Sequence, residues 1–287
     1  MEIQTLNPTT PRQRQRIEAF LKRNGLRFDD MHYYAAITDD DGEMIAGGGL
    51  KGNVIKCVAV DDAHKGEAIA NTLISHLIAH ANEEGHSNVM LFTKPKNRQL
   101  FESLSFRLLA EAPEAVLMET GIGGLGDTVE ALKKIREESE KYKEYNKECK
   151  EEGKTNLNPS PPHHLTTTTP PRGVVVMNCN PFTLGHRYLI EQAAKQVERL
   201  FVMVVREDCS LFSYAERKAM VKQGVAHLKN VTVIDGSEYA ISQATFPTYF
   251  LKRLDDAADT QMLLDLDLFR RHIAPALGAT VRFVGTE

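Results

Sequence analysis

The stretch GVVVMNCNPFTLGHRYLIEQAA, Gly173–Ala194, decides how the second half of the chain is read. Val174–Met177 is a continuous apolar, β-branched run, the pattern of a parallel strand buried on both faces. Asn178–Thr183 follows as a loop, and Leu184-Gly185-His186 opens a helix whose core face carries Leu189, Ala193 and Val197. A histidine just inside a helix entrance, on a loop leaving a buried strand, lies where free N–H groups and the positive dipole end attract phosphate. Outward from this stretch, the apolar runs Arg199–Val205, Val231–Asp235 and Val281–Gly285 alternate with helical patterns at Phe212–Leu228, Phe246–Asp256 and Asp265–Ala276. Such alternation predicts an α/β, doubly wound parallel sheet. Ligands of these sheets bind beyond the carboxyl ends of the strands, where NCNPFTLGH falls.

The loop carries neither a GKS/GKT Walker ending nor a GxGxxG fingerprint, since Gly185 is its only glycine. Thr183-Leu184-Gly185-His186 resembles the HxGH phosphate-binding motif of the nucleotidylyltransferase superfamily. Adenylyl transfer gathers charge on phosphoryl oxygens, so its catalysis is mostly positioning and electrostatic stabilisation. Gly185 would admit phosphate close to the backbone. His186 and the Thr183 hydroxyl would donate to the phosphates as the bond breaks. Cys179, beside the motif, reads as a small buried residue and not as a nucleophile.

Bulk properties set the frame for that reading. The 287 residues suffice for two domains, and a composition 42% hydrophobic and 26% charged can bury a core. A net charge of −4 argues against nucleic acid as the partner. The four cysteines are scattered without a CxxC pair, so no disulfide framework or metal site is expected. No apolar leader or bilayer-length run occurs in the sequence, and the expectation is a cytoplasmic protein without membrane contact.

Three segments are expected: a domain at 1–125, a charged helix and Pro/Thr-rich linker at 126–171, and a second domain at 172–287. LKKIREESEKYKEYNKECKEEGK, Leu132–Lys154, is dense in mixed charge, with Glu137 and Lys141 at i,i+4 favouring a solvated helix. TNLNPSPPHHLTTTTPP, Thr155–Pro171, cannot build a core. Within the first domain a helix is predicted at Arg12–Arg23. Strands follow at His32–Thr38, Glu43–Leu50 and Val54–Val60, the DDDG and KGN turns between them being hairpin signals. A helix spans about Gly66–Glu84, with Ile69, Leu73 and Leu77 on one face. A strand at Val89–Thr93, a short helix at Asn97–Leu104 and strands at Phe106–Leu109 and Ala115–Glu119 complete the unit. This α+β order, over about Met31–Thr120, resembles the GNAT acyltransferase fold. There a glycine-rich turn at a helix start holds a pyrophosphate on backbone N–H groups, and Gly66 and Ala68 in DDAHKGEAIA match it. Ala63 and Ser105 depart from that pattern.

GVVVMNCNPFTLGHRYLIEQAA, FSYAERKAMV, ISQATFPTYFLK and LFRRHIAPALGATVRFVGTE together resemble the citrate lyase ligase family. The resemblance implies a GNAT-like domain followed by a Rossmann-like nucleotidylyltransferase domain. It implies an AMP-forming ligase that uses ATP, with Mg²⁺ for which no protein ligand is assigned. Acetate would be activated to acetyl-adenylate, and the acetyl group passed to the dephospho-CoA-derived thiol of the citrate lyase acyl carrier subunit. On this resemblance Thr183 and His186 are catalytic. Asn178, Asn180, Phe182, Gly185, Arg217, Gly285 and Thr286 belong to the nucleotide site. Ser242, Thr245 and Lys252, with Gly66 and Ala68, would meet substrate or carrier. The family pattern also continues past VRFVGTE into a segment that closes over the phosphates, so a C-terminally truncated sheet domain is expected. Two alternatives stand beside the ligase: another adenylyltransferase that makes a dinucleotide, and a non-catalytic homologue that binds nucleotide or carrier.

Overall fold

The computed structural model describes residues 2–64, 67–151, 171–206, 211–236, 239, 246–251 and 256–285. The chain forms two compact units. One comprises Met1–Gly126 with Ile241–Arg271, the other Asp127–Ala240 with His272–Glu287.

The first unit is built on a seven-stranded sheet. Its elements are β1 (Glu2–Leu6), α1 (Pro11–Arg23), β2 (Tyr33–Thr38), β3 (Met44–Lys51), β4 (Val54–Val60), α2 (Glu67–Glu83), β5 (Asn88–Thr93), α3 (Arg98–Ser103), β6 (Arg107–Glu111) and β7 (Val116–Gly121). The strand order is β1-β2-β3-β4-β5-β7-β6. Every pairing is antiparallel except β4–β5. The meander and the strand–helix–strand unit follow the sequence reading, while β1 does not figure in it. Leu73, Ile74, Leu77 and Ala81 of α2 are buried against Ala35, Ile37, Ile45 and Leu50 of the sheet. Burying each such large aliphatic side chain contributes about 1.5–3 kcal/mol. The Gly47-Gly48-Gly49 run of β3 makes room for β2 and its approach: a Cβ on Gly47 would strike the Tyr34 ring, and one on Gly49 would strike Met31. Opposite these glycines β4 bulges, and Cys57 takes a φ of 54°.

The parallel pair is short. β4 and β5 bond only at Val54–Met90 and Ile55–Leu91, and beyond that point the ladder stops. The segment Phe246–Leu251 packs in this unit, with Phe246, Tyr249, Phe250 and Leu251 all buried. The sequence pattern predicted a helix at Phe246–Asp256. The described part, 246–251, is instead a turn. The spacing of Phe246, Tyr249 and Phe250 mimics a helical face, but these aromatics are taken up by tertiary contacts: Phe246 meets Phe92 edge-on at 5.7 Å. The helix that does form is α7 (Asp256–Leu268), which runs on through a π-helical turn, Phe269–Ile273, to the short α8 (Ala274–Leu277). α7 packs on β6, the edge strand, where Asp267 Oδ2 accepts the Glu111 backbone N–H at 2.9 Å. A side chain thereby satisfies an edge donor that would otherwise invite another strand.

α4 (Leu125–Glu151) is the charged helix of the sequence reading, and it starts one turn or more before Leu132. Its entrance is fixed by Glu119, a fully buried carboxylate that accepts from Leu125 N–H at 3.2 Å and from Arg107 at 2.5 Å. A carboxylate at a helix N-terminus satisfies a free donor and opposes the dipole. Arg172 and Arg199, in the second unit, meet this helix at Glu140 and at the Ser139 carbonyl.

The second unit has a four-stranded, all-parallel sheet in the order β10-β9-β8-β11. Its strands are β8 (Arg172–Met177), β9 (Arg199–Val204), β10 (Val231–Asp235) and β11 (Val281–Phe283), with helices α5 (Leu184–Ala194) and α6 (Tyr214–Gly224). The chain steps outward from β8 to β9 to β10, then places β11 on the far side of β8. That reversal puts a crevice beyond the carboxyl end of β8. Val175, Leu200, Val202 and Val204 form the core with Ile190, Ala193 and Val221. Among the described residues no helix is long and apolar enough to cross a membrane.

Candidate active site

The loop between β8 and α5 lies at that crevice and is ordered by its own side chains. Thr183 is the N-cap of α5, and its Oγ1 accepts from His186 N–H at 3.5 Å. The His186 ring turns back: Nδ1 accepts from Thr183 N–H at 3.0 Å and lies 2.8 Å from Thr183 Oγ1. This is a capping box with histidine in the place usually taken by glutamate. Because Nδ1 accepts from a backbone amide, the neutral ring carries its proton on Nε2. The box therefore satisfies two loop groups and leaves an N–H donor at the helix entrance. The Phe182 ring lies near-parallel to that of His186, centroids 6.0 Å apart, and occupies the room left by Gly224. A Cβ on Gly185 would meet nothing nearer than Thr183 Oγ1, at 3.7 Å. The protein itself does not require glycine there, and the space above the helix entrance is open.

Arg217 is fully buried and closes the loop from below. Its Nη1 donates to Asn178 O at 2.7 Å, Asn178 Oδ1 at 2.6 Å and Val205 O at 2.9 Å, and its Nε donates to Phe212 O at 3.2 Å. One guanidinium thus ties together the ends of β8 and β9 and the entrance of α6. Asn180 Oδ1 accepts from Phe212 N–H at 3.1 Å and adds a second tie. α6 begins with its own capping box, in which Glu216 accepts from Ser213 N–H at 2.9 Å and Ser213 Oγ at 2.7 Å. Cys179 is buried, and burial, opposed by Arg217, pushes its thiol up to about 12. Its thiolate fraction at neutral pH is negligible, which suits the packing role expected of it.

The carboxyl end of β10 supplies a group that the sequence reading did not single out. Asp235 is hydrogen-bonded by Tyr214 and ion-paired with Lys218, and the Arg206 guanidinium stands 5.3 Å over the Tyr214 ring. Burial raises the Asp235 carboxyl, but Lys218 and Tyr214 outweigh it, and the net shift is downward. The signals were in the chain: Lys218 follows Arg217 in AERKAM, and Asp235 ends the parallel strand VTVID.

Of the other expected site residues, Gly285 follows β11, where a Cβ would meet only Leu189 at 3.9 Å. Ala68 is exposed on the first turn of α2. Gly66, Ser242, Thr245, Lys252 and Thr286 lie outside the described residues. The first unit holds a separate cavity of about 680 Å³ beside β4, β5 and α3, lined among others by Ile55, Leu91, Lys94, Lys96, Phe101 and Phe250.

Two family models match the chain: the citrate lyase ligase C-terminal domain over residues 172–287, and the acetyltransferase (GNAT) family over residues 1–106. A citrate (pro-3S)-lyase ligase of Haemophilus influenzae is 39% identical over 273 residues, which is 94% of this chain and 72% of that protein. The chain belongs to the citrate lyase ligase family. The ligase of Escherichia coli is likewise 39% identical, over 94% of this chain and 69% of that protein. A phosphopantetheine adenylyltransferase of Streptococcus gordonii is 31% identical over 110 residues, 37% of this chain and 67% of its own. Among solved structures, an N-acetyltransferase from Lactobacillus plantarum is similar at 16% identity and a TM-score of 0.36, over 42% of this chain and 98% of that one.

Proposed function

We propose that this member of the citrate lyase ligase family activates acetate with ATP and acetylates the thiol of the citrate lyase acyl carrier. The observation that carries the reading is the identity to these ligases across both halves of the chain, together with a helix entrance ordered for phosphate. In the first step an acetate oxygen attacks the α-phosphorus and the bond to the β-phosphate oxygen breaks, giving acetyl-adenylate and pyrophosphate. In the second the carrier thiol, its proton lost to solvent, attacks the acetyl carbon and AMP leaves.

The residues of the loop support the first step. The α5 entrance offers unsatisfied N–H groups and a positive dipole end to the triphosphate. His186 Nε2–H is placed to donate to a phosphoryl oxygen, with Thr183 holding the ring in that tautomer. Asn178, Asn180 and Phe182 act by shaping the loop, and Arg217 acts through them as a positioning residue. Gly185 leaves room for phosphate above the helix. Lys218 is held at the same sheet edge by Asp235. Mg²⁺ bound to the triphosphate would supply charge neutralisation there. Among the described residues no group of three His, Cys, Asp or Glu could hold a metal ion. The first unit is the natural holder of the carrier's dephospho-CoA-derived arm, through its cavity and the turn before α2. Ser242, Thr245 and Lys252 remain candidates for acetate or carrier contact.

The test is pyrophosphate release from ATP with and without acetate, followed by acetylation of thiol-form citrate lyase with recovery of AMP. Release that does not depend on acetate overturns the substrate. The similarity to phosphopantetheine adenylyltransferases favours adenylyl transfer in either case, and a dinucleotide product seen by mass spectrometry would move the chain to that class.

A further inference from the structure

We infer that Tyr249 and Phe250 form the end wall of the cavity in the first unit and set the length of acyl group that the carrier arm can bring there. The inference rests on the reading above that this unit holds the arm. At about 680 Å³ the cavity is of ligand size, within the roughly 300–1,000 Å³ of small-molecule sites. Its lining has two characters: Lys94, Lys96 and Asn97 are polar, while Leu91, Phe101 and the two aromatics of the 246–251 turn are apolar. An extended thioester arm with a phosphate at one end and an acyl group at the other matches both.

The wall stands where the sheet opens. Past Ile55–Leu91 the β4–β5 ladder stops, and Tyr249 lines the cavity there with Val58, Ala59 and Phe92. Its hydroxyl lies 3.5 Å from Phe92 O on β5 and near Cys57 of β4. Burial drives the titration of the phenol far above the ordinary value and keeps it protonated. Phe250 packs edge-on to Tyr249 at 5.2 Å and to Phe246 at 6.3 Å. The turn is anchored from behind: Arg27 N–H donates to Tyr249 O at 3.1 Å and the Arg27 guanidinium to Thr248 O at 2.5 Å. A wall so held cannot recede for a longer ligand, and each added methylene must displace a packed ring. The cavity is therefore closed at this end, and an acetyl group fills the space that a longer acyl chain would overrun.

The test is calorimetric titration of the whole chain with S-acetyl-, S-butyryl- and S-hexanoyl-4′-phosphopantetheine. Affinity is expected to fall at least tenfold from acetyl to hexanoyl, in keeping with the discrimination of about 10–200-fold that a methylene can produce in an apolar pocket. Phe250→Ala should bring the ratio below threefold. Tyr249→Phe, which keeps the size of the wall, should keep the ratio. Melting temperature and acetate-dependent pyrophosphate release monitor folding; if Phe250→Ala unfolds, Phe250→Leu takes its place. Equal affinities across the wild-type series, no binding of any of the three, or a ratio unmoved by shortening Phe250 in a folded variant overturns the inference. Loss of acetate dependence in pyrophosphate release overturns the ligase reading instead, and does not alter the acyl-length ratio.

Discussion

Replacing Arg217 with methionine tests whether this residue is a clasp under the phosphate loop or a contact to nucleotide. The guanidinium donates to the backbone carbonyls of Asn178, Val205 and Phe212 and to Asn178 Oδ1. Bonds to a charged donor contribute about 1.5–3 kcal/mol each, and a buried acceptor left without a partner costs about 1–3 kcal/mol. Methionine fills most of the volume, so the packing loss is small. Taking the three carbonyls at the low end gives about 3–5 kcal/mol, the size of loss seen when one side of a buried charge network is removed. A domain of this class has only about 5–15 kcal/mol in total, and each kcal/mol moves its melting point by roughly 3–6 °C. Calorimetry should show the transition of the second unit falling by about 10–20 °C. Arg217→Lys, which keeps the charge but not the planar fork, should lose about half as much. ATP KM in the lysine variant should rise only modestly, because the side chain is fully buried and acts through the loop. A transition moved by less than about 3 °C, with ATP KM raised severalfold, would refute the clasp and make Arg217 a nucleotide ligand.

His186→Ala should slow acetate-dependent adenylation by roughly a hundredfold or more, the usual loss for one transition-state donor, as read by pyrophosphate release; the Thr183 cap remains, so melting should fall little. Asp267 is raised by burial but lowered on balance by Arg270, Arg271 and the Glu111 N–H, so its contribution is fully present above the unfolded value near 3.8 and is lost as pH falls through the depressed folded value. Asp267→Asn should flatten the acid limb of the stability profile in denaturant titrations between about pH 5 and 2. Cys57 and Cys179, both pushed up to about 12 by burial, should stay unlabelled by iodoacetamide at pH 8 in the native protein and label in urea, as read by peptide mass spectrometry.

What the sequence made legible was local and periodic. Val174–Met177 reads as a buried parallel strand because alternation is absent, and His186 reads as lying just inside a helix entrance because the loop Asn178–Thr183 gives way there to a helical pattern; the mutual capping of Thr183 and His186 emerges only in the structure. Arg217 was visible as a residue beside the loop, but its burial was not: a helix with arginine between glutamate and lysine looks solvated from its charges alone. Only the meeting of three strand and helix ends turns that side chain inward. The Asp235–Lys218–Tyr214 group was hidden for the same reason, since 17 residues separate Lys218 from Asp235 and only the β9–β10 register brings the end of VTVID beside α6. The turn at Phe246–Leu251 is the clearest case of tertiary structure overriding pattern. Its aromatics at i, i+3 and i+4 satisfy a helix template, yet Pro247 follows Phe246 and disfavours the helical region there. What holds the turn is contact with Phe92 of β5 and with Arg27, 157 and 221 residues earlier in the chain. No window of sequence holds both the turn and these partners, so two aromatics lining the first unit's cavity come from residues that the sequence assigns to the second half.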